Sequence, residues 1–189
     1  HLLLYIRAQR GIVVFSKIQN GRLVIDRRDV IRGGLAAGAA AFLPAGLAHA
    51  KGEAPIGHTE ASELGDASSV DVSALNPGEL AVIMMNGTFV GILRRTEDQQ
   101  NAAAAVEGAL SGETDADRTV DAEYLVAELK CLHRGCYVAY TGESDRTFVC
   151  PCHRTSFDAA GRVISGKTSR SLPFIGHTIE NGVVSFAEG

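Results

Sequence analysis

An all-β fold, an antiparallel sandwich or partly open barrel carrying one inserted helix, is predicted by three observations. Two Asn-Gly dipeptides, Asn86-Gly87 and Asn181-Gly182, each separate short apolar runs, the strongest local signal for a two-residue hairpin turn. Further short runs rich in β-branched and aromatic residues recur at 124–129, 137–141 and 146–149. A single alanine-rich stretch stands apart from them as the one good helix candidate.

In chain order, residues 80–85 and 89–93 flank the first Asn-Gly turn and form the first hairpin. Residues 97–110, with the run Asn101-Ala102-Ala103-Ala104-Ala105-Val106, predict the helix because alanine loses least on becoming helical, and Ser111-Gly112 ends it. The acidic stretch 113–121 predicts a solvated loop. Strands follow at 124–129, 137–141 and 146–149, and residues 177–179 and 183–186 flank the second Asn-Gly turn. Many short antiparallel strands of this kind build a sandwich or an open barrel. The 189-residue chain, 46% hydrophobic, has room for one packed domain and nothing in it suggests a second core.

The formal charge of −4 hides a split. Residues 1–50 carry seven Lys/Arg against two Asp/Glu, a net of +5, and residues 51–189 carry eleven against twenty, a net of −9. A basic head on an acidic body reads as a targeting segment and argues against a nucleic-acid partner. Residues 1–25 have the character of neither leader nor domain and are assigned as an N-terminal extension. In residues 26–50, Asp26-Arg27-Arg28-Asp29-Val30-Ile31-Arg32 resembles the twin-arginine export signal, and the uncharged stretch 33–48 follows it. That stretch is short for a membrane span and broken by Pro44, and Ala48-His49-Ala50 suits signal-peptidase cleavage. Two outcomes are open: cleavage to a soluble protein, or retention as a single membrane anchor. Either exports the domain across a bacterial cytoplasmic membrane to the periplasmic side. Residues 51–66, polar and without apolar periodicity, predict a flexible linker, and residues 67–189 the folded domain.

All four cysteines and two of the six histidines fall in two compact motifs, Cys131-Leu132-His133-Arg134-Gly135-Cys136 and Cys150-Pro151-Cys152-His153, within residues 130–157. Thiolate and imidazole are the ligands soft enough for iron–sulfur chemistry, and a binuclear cluster needs four, two per iron. Cys131 with His133, and Cys150 with His153, can each grip one object from a tight loop. Zinc and two plain disulfides compete for the same residues. A tetrahedral zinc leaves two of the six idle, and two disulfides give no reason for His133 and His153 to sit where they do. His1, His49, His58 and His177 lie outside the motifs and read as ordinary histidines.

At these residues the chain resembles the Rieske iron–sulfur proteins, whose paired motif is Cys-x-His-x-Gly-Cys and Cys-x-Cys-His. The resemblance implies a [2Fe-2S] cluster with Cys131 and Cys150 on one iron, His133 and His153 on the other, and a Cys136–Cys152 disulfide. It implies a Rieske-type antiparallel β-sandwich or partly open barrel with a small cluster-binding subdomain and one inserted helix. The helix insertion, with the segment from 70–73 to 90–96 resembling the opening strands, is most like the Rieske subunit of ubiquinol–cytochrome c reductase in cytochrome bc complexes.

The pattern departs from that subfamily in three places. Its usual Gly-Ser-x-Tyr after the second motif is here Arg154-Thr155-Ser156-Phe157, so Thr155 can keep a hydrogen bond toward sulfur and Phe157 cannot supply one. Its Gly-Pro-x-Pro loop is here Gly166-Lys167-Thr168-Ser169. Arg134 stands where the docking tip is commonly apolar, and Arg134 and Arg154 place cationic groups beside the cluster, which stabilise its reduced form. Two functions follow from the resemblance. One is an electron-transfer subunit, not catalytic alone, that takes an electron from quinol through a His153 contact and passes it to a c-type cytochrome beside cytochrome b. The alternative is a soluble periplasmic electron carrier, or the small subunit of a molybdenum oxidoreductase such as arsenite oxidase.

Overall fold

The computed structural model describes residues 17–19, 21–25, 30–32, 62–64, 67–106 and 109–187. Its elements are β1 (Lys17–Gln19), β2 (Arg22–Val24), β3 (Val30–Arg32), β4 (Ser62–Glu63), β5 (Ser69–Asp71), β6 (Glu79–Met85) and β7 (Thr88–Arg94), then helix α1 (Glu97–Ala105). After the helix come β8 (Tyr124–Glu128), β9 (Ala139–Tyr140), β10 (Phe148–Val149), β11 (Ser156–Phe157), β12 (Val163–Ser165), β13 (His177–Glu180) and β14 (Val183–Phe186). Arg27, Arg28, the stretch 33–48 and its Ala48-His49-Ala50 end, most of the linker 51–66, and His1, His49 and His58 lie outside the described residues.

Among the described residues three sheets form, and none closes into a barrel. The outer sheet runs β1-β2-β5-β14-β13, the central sheet β3-β6-β7-β8 with β4 also beside β6, and the third sheet β12-β11-β10-β9. Both Asn-Gly pairs turn their hairpins as expected: Asn86 and Gly87 have φ of 51° and 76°, Asn181 and Gly182 52° and 74°. Those are the two left-handed positions of a type I′ turn.

The central sheet is buried on both faces, which is why β6 reads as an unbroken apolar run rather than an alternating one. Leu80, Val82, Leu93, Leu125 and Ala127 face Phe148, Phe157 and Val163 in one core cluster. Ala81, Ile83, Val90, Ile92 and Val126 face Val70, Val184, Leu23 and Ile25 in the other. Gly91 in β7 lies on the first face, where a Cβ would come within 2.7 Å of Leu129 Cδ2. The absent side chain seats Leu129, two residues before the first cysteine, against the sheet.

Several segments differ from the sequence expectations. Residues 17–19, 22–24 and 30–32, assigned no strand, pair as β1, β2 and β3, with Leu23 and Ile25 buried. Leu64, at the end of the expected linker, is buried and its amide donates to Met84 O at 3.0 Å. Helix α1 begins on a Thr96 capping box with Gln99 but stops at Ala105, because Val106 turns extended.

The acidic stretch 113–121 is not a free solvated loop, for buried arginines hold it down. Arg95 pairs with Asp115 at 2.7 Å, and Arg118 pairs with Glu113 at 3.2 Å while donating to the carbonyl of Leu172. Arg162 pairs with Asp158 at 2.6 Å and donates to Ala103 O at 2.5 Å, stitching the helix to the third sheet.

Burial pushes the Glu113 carboxyl up, but the hydrogen bond from Ser171 and the Arg118 charge outweigh it and hold it below its ordinary value of 4.5. A depressed folded-state pKa contributes stability that is present above the unfolded value and lost as pH falls through the folded one. Glu113→Gln should therefore melt below the wild type at pH 7, with the gap closing as pH drops beneath 4.5 in a series of thermal melts.

Candidate metal centre

Two loops of matching geometry carry the cysteines and histidines. In the first, between β8 and β9, Cys131 N donates to Cys136 O at 2.8 Å and Gly135 N returns to Cys131 O at 2.9 Å. In the second, between β10 and β11, Cys150 N donates to Thr155 O at 2.8 Å and Arg154 N to Cys150 O at 2.9 Å. The fourth residue after each leading cysteine is left-handed, Gly135 at φ 76° and Arg154 at φ 56°. Glycine meets that need without steric cost in the first loop, and arginine bears it in the second.

Cys136 and Cys152 join the loops in a disulfide, with Cα atoms 6.6 Å apart. The Cys136, Cys150 and Cys152 sulfurs lie within 4.8 Å of one another, but the disulfide removes two of the three as thiolate ligands. Cys131 and Cys150 remain free, both buried. They share a hydrogen bond: Cys131 keeps its proton, its pKa pushed far up, and the bond holds Cys150 down to about 6. Thr155 Oγ1 also hydrogen-bonds the Cys131 sulfur and accepts from Lys167 N at 3.2 Å.

At the mouth of the loops the His133 and His153 rings meet edge to face, centroids 4.7 Å apart. His133 Nδ1 is buried with no hydrogen-bond partner, although buried ring nitrogens are normally paired. Desolvation, then the charges of His153, Arg134 and Lys167, push the His133 pKa down, which favours the neutral, ligand-competent ring. Two thiols, two imidazoles and an orphaned ring nitrogen at one place fit a binuclear iron–sulfur cluster with mixed ligation.

Thr155 and Phe157 are fully buried, Thr155 on the cysteine pair and Phe157 in the core cluster with Phe148. Arg134, His153 and Arg154 are exposed at the rim. Gly166, the first residue of the loop after β12 and the start of the Gly166-Lys167-Thr168-Ser169 departure, has a structural role that its sequence context does not announce. A Cβ there would lie 2.5 Å from both Cα and Oγ1 of Thr155, and its φ is 131°. The loop docks on the second cysteine loop through this bare backbone, where the resembled subfamily uses prolines. Gly166→Ala should cost about 1–3 kcal/mol by overpacking, read as a lowered melting temperature, and displace Thr155 from the Cys131 sulfur.

A family model described as the Rieske [2Fe-2S] domain matches residues 68–176, more than half of the chain. The chain belongs to the Rieske family. Its centre is therefore a Rieske-type [2Fe-2S] site in an electron-carrier domain. The "Cytochrome b-c1 complex subunit Rieske-4, mitochondrial" of Nicotiana tabacum is 35% identical over 105 residues, covering 54% of this chain and 44% of that protein. The "Ubiquinol-cytochrome c reductase iron-sulfur subunit" of Blastochloris viridis is 33% identical over 109 residues, covering 55% of this chain and 60% of that one. This Rieske chain spans less than half the length of the plant relatives it matches. Among solved structures, a hyperthermophilic respiratory Complex III aligns with a TM-score of 0.45 and 22% identity over 64% of this chain and 75% of that one. Among the described residues, no helix is long and apolar enough to cross a membrane.

Proposed function

We propose that this chain is the one-electron-carrying subunit of a quinol:cytochrome c oxidoreductase, with Cys131, His133, Cys150 and His153 as cluster ligands. The observation that carries the reading is the pair of free buried thiols beside two touching imidazoles, clamped between disulfide-joined loops. The printed names of the relatives, subunits of cytochrome b-c1 and ubiquinol-cytochrome c reductase, support the complex. When bound, the cluster supplies reversible one-electron chemistry at the comparatively oxidising potentials that two imidazole ligands give.

The protein's own residues supply the rest. The exposed His153 ring accepts the hydrogen bond, and then the proton, of a quinol hydroxyl. Thr155 orients the Cys131 sulfur, and the Phe157 ring, fully buried, excludes water from the inner side without giving a hydrogen bond. Cytochrome b and a c-type cytochrome are the partners of this reading. Within the segment 26–50 that serves as export signal or anchor, residues 30–32 pair with β6, and within the linker 51–66 residues 62–64 pack on the same sheet. The tether that leaves the domain on the periplasmic side therefore lies before residue 62. The chain transfers electrons for the complex and turns over no substrate alone.

The experiment is purification of the tagged chain from its native membranes, followed by haem analysis and assay of quinol-dependent cytochrome c reduction. Co-purifying b- and c-type haem, with activity abolished by Cys150→Ser, is the expected result. Recovery in a salt-soluble fraction with a molybdenum-containing subunit and no b haem overturns the reading in favour of the soluble carrier.

A further inference from the structure

The loops that carry the histidines are charged unlike the rest of the domain. Residues 130–136, 150–157 and 164–172 hold Lys130, Arg134, Arg154, Lys167 and Arg170 and not one Asp or Glu, within a segment 51–189 whose net charge is −9. Arg134, Arg154, Lys167 and Arg170 are exposed. Each is pinned to the site. Arg134 follows His133 and Arg154 follows His153, Lys167 bonds Thr155 through its amide, and Arg170 donates to the carbonyl of Leu132 in the first loop. Arg134 and Lys167 come from different loops, yet both act electrostatically on His133.

We infer that this tip is a cationic docking face, and that the electron-transfer partner meets it with an acidic protein surface. The proposal deepens the reading of the same site given above and rests on it. A guanidinium or ammonium covered by an apolar partner loses its hydration without return, so whatever covers the rim must bring carboxylates. The acidic remainder of the domain makes the molecule a dipole that presents the histidines first to such a partner. An anionic membrane surface would answer the charge as well, but interfacial binding also buries apolar side chains. The large exposed hydrophobics among the described residues, Leu110, Val120 and Phe174, all lie outside the three loops.

The test uses the full chain with its cluster loaded. Fluorescent poly-L-glutamate stands for an acidic protein surface, and phosphatidylglycerol vesicles for a membrane. Two variants separate charge from folding. Arg134→Gln/Lys167→Gln removes two rim charges at positions exposed in the fold, and Arg154→Gly removes a third while relieving a left-handed non-glycine residue, so it should melt no lower than the wild type.

Polyglutamate binding at low salt should weaken roughly tenfold in the double variant and severalfold in Arg154→Gly, and fade for all proteins toward 0.15 M salt, where the Debye length is about 8 Å. Unchanged affinity in both variants overturns the proposal, since binding then belongs to the basic segment 1–50. Vesicle binding that is tighter and equally sensitive to the variants overturns it in favour of lipid headgroups. Neither readout needs quinol or cytochrome, so failure here is distinguishable from failure of the proposed electron-transfer reaction.

Discussion

Asp158→Ala is expected to destabilise the domain by roughly 3–5 kcal/mol, because it strands a buried guanidinium. Arg162 is 2% exposed and Asp158 1%, and the carboxylate serves more than the ion pair. Asp158 Oδ1 accepts from the amides of Ala160 and Arg162 at 2.9 Å each, while Oδ2 accepts from Arg162 Nε at 2.8 Å. The substitution therefore orphans the β11–β12 turn and the arginine together. Since Arg162 also holds the carbonyls of Ala103 and Glu113, the helix insertion should loosen with it. Urea denaturation reads the loss as a lower midpoint. Asp158→Ala/Arg162→Met should recover much of the ion-pair part, because removing both charges removes the uncompensated burial. Equal stability of Asp158→Ala and wild type would contradict this account of the insertion.

The second large effect is expected from Cys136→Ser/Cys152→Ser. The disulfide closes a loop of sequence separation 16, for which the chain-entropy relation gives about 3 kcal/mol. Its position makes the consequence functional as well. Cys136 ends the first cysteine loop and Cys152 lies in the second, so without the bond nothing covalent holds Cys131 and His133 opposite Cys150 and His153. Denaturation midpoint and bound iron should fall together in the variant. Iron retained at the wild-type level would show that packing alone clamps the loops.

The parts of the fold legible in the sequence are those fixed by neighbours. Asn86-Gly87 and Asn181-Gly182 impose left-handed backbone locally, so their hairpins could be placed without knowing what packs on them. The centre was legible for a related reason. Its cysteines and histidines are too specialised, and too closely spaced, for surface or core roles, and the paired motif carries the family resemblance. What failed to show depends on distant partners. Strand β2 pairs parallel to β5 through Leu23 and Val70, and nothing near residue 23 announces that pairing.

The acidic loop misled because composition cannot say which arginine will come to meet it. Arg95 precedes the helix, and Arg162, which takes the Glu113 carbonyl, lies beyond the second cysteine loop. Gly166 is legible as the start of a loop without the family's prolines, but the need for glycine there is set by Thr155, a contact made across a fold and not along a chain. The charge of Arg154 is legible in the sequence, whereas its left-handed backbone, the counterpart of Gly135, is set by the hydrogen bonds that close the second cysteine loop.

The most direct measurement is pulsed electron paramagnetic resonance of the reduced, iron-loaded protein grown with nitrogen-15 histidine. The account predicts one rhombic binuclear signal with couplings from two histidine nitrogens, assigned to His133 and His153. A binuclear signal without histidine coupling, or a protein that takes zinc and no iron, would contradict it.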